Sequence, residues 1–322
     1  MSRNAFDRRD FLRTAAAGTA LASLPAALPG TPAAAAPGAA PRRRRTATFR
    51  WLGTTGWRID VAGRTVLVDP YVSRFRTGLF GGTFDPATPL AVDPAAIAAA
   101  DLGAPETVLV THTHWDHFAD VPHVARTTGA RVLGTLTAYH LGLAAGVPGD
   151  RLSPVKGGEV LDFGDYRVEV VAALHSRNAR YSLAFPGVRL QAPGAAPATI
   201  ADLPEGDTLA YVFRVPGGPS VFLMGASDFV ERNLAGIRPD VAMIPINSSD
   251  ATHDYVPRLL AALDRPAVVV PVHWENFETP LRNPPVVAPA DRRRLDAFEA
   301  AIRAASPRTR IVRPEFLTPY EF

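Results

Sequence analysis

Short apolar runs punctuated by Gly, Pro and Asp recur along the chain from about residue 46, and most are continuous rather than alternating. That pattern predicts strands buried on both faces, as in a sheet covered by helices or by a second sheet. Ala47-Trp51, Trp57-Val61 and Thr65-Asp69 open the series, joined by turns at Gly53 to Gly56 and at Ala62-Gly63. Glu106 to Thr111, Val132 to Leu136, Leu161 to Ala173 with a turn at Gly164-Asp165, Val221 to Ser227, Asp240 to Ile246 and Ala267 to Val272 continue it. Pro94 to Ala100, Val121 to Thr128 and Tyr255 to Leu263 read as helices, the last preceded by the turn and cap Asn247-Ser248-Ser249-Asp250. Two long stretches, Tyr71 to Pro89 and Ser176 to Asp207, have no period and read as functional loops. No strong linker interrupts residues 46 to 315, so the reading is one α/β domain of two similar halves, sheet on sheet with helices outside.

The ends of these runs carry the chemistry. Thr111-His112-Thr113-His114-Trp115-Asp116-His117 gathers three of the eight histidines and a carboxylate directly after a strand. Imidazole is the commonest ligand for zinc and related borderline metals, and a carboxylate adds a hard oxygen donor. His175, Asp228 and His273 each follow a further apolar run. Seven donors at four strand ends are enough for two adjacent ions.

The order His-x-His-x-Asp-His, then His, Asp and His, each after a strand, resembles the metallo-β-lactamase-fold hydrolase superfamily. The closest likeness is to the branch of ascorbate-phosphate-lactonase-like and N-acyl-phosphatidylethanolamine phospholipase D-like proteins. The resemblance implies a four-layer αββα fold, two β-sheets sandwiched between helices. It implies one metal on His112, His114 and His175, a second on Asp116, His117 and His273, and Asp228 bridging them, with Asp69 beside the site. The metals would be two divalent ions, zinc first, with manganese or iron as alternatives. Two departures stand out: Gly53-Thr54-Thr55 replaces the branch's usual Gly-His, and Ser227 precedes Asp228 where that branch has Gly.

The function implied is hydrolysis by a metal-bridging hydroxide, with Asp116 relaying a proton and Asp228 and His253 as further catalytic candidates. Arg177 and Arg180, soon after His175, lean the substrate toward a phosphodiester. A lactone or carboxylic ester is the alternative. Trp115, Phe118, Phe229, Trp274 and Phe277 are the aromatics beside the ligands, with Trp115 and Trp274 the tentative substrate contacts. Arg74, Phe75 and Phe80 would flank the entrance. An iron-dependent oxidoreductase, or a metal- or ligand-binding protein without turnover, stays open as a reading from another class.

Composition narrows the rest. With 322 residues, 47% of them apolar, the chain is ample for a packed core, and the absence of cysteine excludes thiolate ligands and disulfides. Residues 1 to 45 differ from the remainder. Asp7-Arg8-Arg9-Asp10-Phe11-Leu12-Arg13 precedes an Ala-rich, weakly apolar stretch too short to span a bilayer, and resembles a twin-arginine export signal. The expected partners are thus a small-molecule substrate and the twin-arginine machinery, with no transmembrane segment in the mature protein. Its location would be extracellular, or the cell envelope or periplasm. The basic balance sits in that segment and in Arg42 to Arg45, which leaves residues 46 to 322 slightly acidic and gives no reason to expect nucleic acid.

Overall fold

The computed structural model describes residues 46–322; the export-signal reading of residues 1–45 lies outside the described residues. Two mixed sheets of seven strands each lie between helices. In the first sheet, β1 (Ala47–Gly53), β2 (Gly56–Val61) and β3 (Arg64–Val68) form an antiparallel meander. β4 (Pro105–Leu109), β5 (Arg131–Gly134) and β6 (Leu152–Pro154) then add in parallel. The second sheet repeats the plan. β7 (Val160–Asp162), β8 (Arg167–Ala173), β9 (Thr208–Arg214) and β10 (Ser220–Met224) are antiparallel, and β11 (Val241–Pro245), β12 (Val268–Val272) and β13 (Arg310–Ile311) are parallel additions. The closing strand β14 (Pro319–Glu321) returns to pair with β1 in the first sheet.

Strand alternation explains why the apolar runs are continuous. In β3, Val66 and Val68 enter the core between the sheets, while Leu67 joins a second core under the helices. Helices α1 (Pro94–Ala99), α2 (Trp115–Phe118), α3 (Val121–Thr128) and α4 (Leu136–Ala144) pack against the first sheet's outer face through Ile97, Phe118, Val124 and Leu141. Helices α5 (Tyr255–Ala262) and α6 (Pro289–Ala305) contribute Leu259, Leu260, Leu295 and Phe298 to the main core. Among the described residues no helix is long and apolar enough to cross a membrane.

Two readings shift. The run Val132 to Leu136 stops as a strand at Gly134, and Thr135 caps helix α4 by accepting a hydrogen bond from the Ala138 N–H. α4 buries Ala138 and Leu141 against β6, so an apolar sequence that resembles strand propagates as helix. Strand β9, helix α6 and the C-terminal strands are additions to the elements that the apolar pattern announces.

Candidate metal centre

The parallel register places the C-terminal ends of β3, β4, β8, β10 and β12 toward one edge, the edge at which open α/β sheets assemble sites. β4 leads into the His112–His117 loop, β8 into His175 and β12 into His273. Donor atoms of His112, His114 and His175 lie within 4.8 Å of one another, and so do those of Asp116, His117 and His273. Five of these six side chains are buried and His175 is half-buried. His273 sits at φ +60°, a left-handed backbone rarely taken by a non-glycine residue, and its N–H donates to the Thr54 carbonyl at 3.1 Å.

Electrostatics make the two groups different. Burial, reinforced by the neighbouring imidazoles, lowers the pKa of His112 well below the ordinary value. Burial likewise brings His114 down to about 3 and His175 to about 4. These three rings are therefore neutral at physiological pH, the form that ligates metal. Burial alone would also lower His117, but the Asp116 and Asp69 carboxylates outweigh it and push its pKa up to about 10. Burial opposes charge on Asp116, yet His117 and His273 hold its carboxyl well below the usual range. Asp116 Oδ2 is 3.2 Å from His273 Nε2 and 3.5 Å from His117 Nε2. The donors fit a metal pair in chemistry, and His112 Nε2 is buried without a hydrogen-bond partner, which suits a nitrogen that binds a cation.

A layer of hydrogen bonds orients these donors. Asp69 Oδ2 accepts from Thr55 Oγ1 at 2.8 Å and lies 3.0 Å from His117 Nδ1, while Oδ1 accepts the Thr111 N–H at 2.7 Å. His114 Nε2 lies 2.9 Å from the Ala184 carbonyl and His175 Nδ1 2.7 Å from that of Ser176. Such partners fix ring orientation. Thr55 and Thr111 carry no metal-binding signature, and only their adjacency to Gly53-Thr54 and His112 hints at them.

A cavity of about 230 Å³ opens on the six donor residues, lined also by Leu79, Phe84, Trp115, Ala226, Asn247 and Phe277. The loop 71–89 does flank it, through Leu79 and Phe84. Arg74, expected at the entrance, is instead buried, its guanidinium paired with the Glu275 carboxylate. Phe80 packs edge-on against Phe277 and Phe75 against Tyr71.

Several expected site residues lie elsewhere. Asp228 belongs to neither donor group and does not line the cavity; its Oδ1 accepts the Phe229 N–H at 2.8 Å, and its backbone bridges to Leu174. The bend over Gly225–Ser227 turns Ala226 toward the cavity and leads Asp228 past it. His253 is exposed, with Nε2 3.3 Å from Asp254. Trp274 is buried, stacked on Trp51 at 5.3 Å, its indole N–H donates to the Pro271 carbonyl, and it is absent from the cavity lining. Arg177 and Arg180 are both exposed and absent from the cavity lining; Arg177 donates to the Tyr181 carbonyl at 2.8 Å. Phe118 and Phe229 are core residues.

Comparison with known proteins adds independent findings. A family model described as a beta-lactamase superfamily domain matches residues 64–274. A UPF0173 metal-dependent hydrolase of Methylobacterium nodulans is 30% identical over 258 residues, covering 78% of this chain and 90% of the relative. Another, of Pyrobaculum calidifontis, is 28% identical over 235 residues, covering 71% and 84%. Among solved structures, a metallo hydrolase of Ignicoccus hospitalis aligns over 86% of this chain and 98% of its own, with TM-score 0.53 and 20% identity. An isothiocyanate hydrolase from Delia radicum gut bacteria covers 85% and 98%, with TM-score 0.55 and 18% identity. Both structures share the fold of the two sheets and their helices.

Proposed function

The chain belongs to the beta-lactamase superfamily, among its UPF0173 metal-dependent hydrolases, and from that premise we propose that it cleaves a small uncharged carboxylic ester or lactone. The observation that carries this reading is the lining of the cavity beside the donor groups. Leu79, Phe84, Trp115 and Phe277 supply an apolar wall, and no Arg or Lys is among the lining residues. Such a wall favours an uncharged acyl group over an anion.

His112, His114 and His175 would hold one metal, and Asp116, His117 and His273 a second. Metal bound there supplies Lewis-acid polarisation of a carbonyl oxygen and a water acid enough to ionise near neutral pH. The chain's own residues do the rest. Trp115 and Phe277 exclude bulk water from the cavity, and the Asp69–His117 contact fixes the His117 ring. Asp116, held ionised by His117 and His273, would bring the negative charge that its donor group offers a divalent cation.

One observation favours a phosphodiester as the second reading. A larger cavity of about 750 Å³, also lined by His175, includes Lys156 and Arg177, two cations of the kind that hold a phosphate, although Glu159, Glu205 and Asp207 line it too. Steady-state kinetics decide between them, using zinc- or manganese-loaded protein with p-nitrophenyl butyrate, simple lactones and bis(p-nitrophenyl) phosphate. The ester or lactone is expected to exceed the diester in kcat/KM by at least about tenfold. The reverse order would establish the diester, and a single iron in protein purified without added metal, together with no hydrolysis, would favour the oxidoreductase reading.

Export is proposed alongside, on the Arg8-Arg9 sequence alone. Residues 1–45 fused to a reporter should be exported, and Arg8→Lys combined with Arg9→Lys should retain the reporter inside the cell.

A further inference from the structure

The strand β10 exits through Gly225, and the residue after that glycine is Ala226. In the pattern the chain resembles, the residue after the exit glycine is the aspartate that bridges the metals. Gly225 itself is fixed in place, because a Cβ there would lie 2.0 Å from Thr111 Oγ1. Ala226 is buried and lines the cavity that the six donors line. Asp228, two residues on, cannot simply slide into its place. Ser227 between them is locked by a hydrogen bond from its N–H to Ser176 Oγ at 2.7 Å, from its Oγ to the Asn247 carbonyl at 2.6 Å, and from Thr252 Oγ1 to its carbonyl at 2.7 Å. Among the residues lining the cavity, Asp116 is the one carboxylate, and it belongs to a single donor group.

We infer that this centre has no bridging carboxylate, because Ala226 occupies that position, and that it therefore binds two cations with unequal affinity. The inference rests on the reading that the two donor groups take metal. A shared carboxylate lowers the repulsion between adjacent cations by placing negative charge between them. Without it, whichever ion enters second meets an unscreened neighbour. The Asp116, His117 and His273 group is the expected weak site, since its donors are already paired with one another and must exchange those contacts for metal. The His112, His114 and His175 group requires no such exchange.

Zinc titration of the metal-stripped full chain against a competing chelator, with stoichiometry read by native mass spectrometry, tests this. In the wild type the second zinc should bind at least about tenfold more weakly than the first. Ala226→Asp should narrow that gap by restoring the bridge, and Asp228→Ala should leave both affinities unchanged. Two indistinguishable zinc affinities in the wild type would overturn the inference, as would loss of the second zinc in Asp228→Ala. A folded Ala226→Asp protein whose gap is unchanged would overturn it too; if that variant does not fold, the wild type and Asp228→Ala decide alone. Failure to take up any zinc would instead sink the metal reading on which the proposed function stands.

Discussion

Asp69 Oδ2 lies 3.0 Å from His117 Nδ1 beneath the cavity, both side chains almost wholly removed from solvent. The contact leaves His117 Nε2 turned to Asp116. Asp69 is thus a positioning residue for one donor group. It reaches the other group indirectly, through Thr111, whose hydroxyl donates to Asp69 Oδ2 and lies 3.2 Å from His112 Nδ1. Asp69→Asn keeps the shape and removes the charge. It should weaken zinc binding at the Asp116, His117 and His273 group by about 10–100-fold and affect the three-histidine group less, because there Asp69 acts through Thr111. Chelator competition reads both sites in one titration, and equal weakening of the two would contradict the assignment.

The metal-free protein should be most stable near neutral pH and lose stability in both directions. His114 and His175 have folded pKa values of about 3 and about 4, below the ordinary imidazole value. The unfolded chain therefore takes up protons that the folded one refuses, and stability falls as pH drops from about 6.5 toward those values. His117 has the opposite sign. Its folded pKa of about 10 gives stability that is full below about 6.5 and fades as pH rises toward 10. Each group alone contributes a slope on the order of 1 kcal/mol per pH unit. Urea unfolding of EDTA-treated protein across pH 5 to 9.5 should trace a dome, and a flat profile would refute the charge assignment.

The candidate donors were legible in the sequence because metal chemistry concentrates rare side chains at strand ends. His112, His114, Asp116, His117, His175 and His273 need only that placement, and the fold supplies it. Asp228 reads equally well by type, yet register decides between it and Ala226. That register is held by Ser176, Asn247 and Thr252, residues with no motif of their own. Arg74 shows the same limit from another side. A lone arginine in a Gly/Pro-rich loop suggests a solvent-facing anion binder, and nothing local reveals a carboxylate partner 201 positions away. Helix α4 escapes the pattern because its apolar residues surround it nearly evenly and follow a strand without a strong break.

Arg74 and Glu275 form a buried ion pair behind the site, and Glu275 Oε1 also accepts the Thr54 N–H at 2.7 Å. The guanidinium lies 5.0 Å over the Phe316 ring and donates to the Phe277 carbonyl, so the pair joins β1, the loop after β3 and the segment after β12. Removing one partner strands the other charge away from water. Arg74→Met should destabilise by about 3–5 kcal/mol, and Arg74→Met with Glu275→Gln should cost clearly less than the sum of the single changes. Urea unfolding at neutral pH with saturating zinc measures all three variants. Additive costs would show that the two groups act independently.

Glu278 ties down the loop that forms one wall of the cavity. Its Oε1 accepts the Thr77 N–H at 2.8 Å and the Leu79 N–H at 3.1 Å, besides the Thr77 hydroxyl. Leu79 faces the cavity and Phe84 follows five residues later, packed at 6.0 Å from Trp115. Glu278 belongs to neither donor group. Its loss should therefore loosen the apolar wall without disturbing metal. Glu278→Ala is expected to retain the wild-type zinc content while raising KM for p-nitrophenyl butyrate several-fold, with a smaller change in kcat, the pattern of a lost binding contact. The same change should leave KM for p-nitrophenyl acetate nearly untouched, because the shorter acyl chain gains less from that wall. A matching loss on both esters, or a loss of zinc, would place Glu278 in support of the centre as a whole instead of the loop.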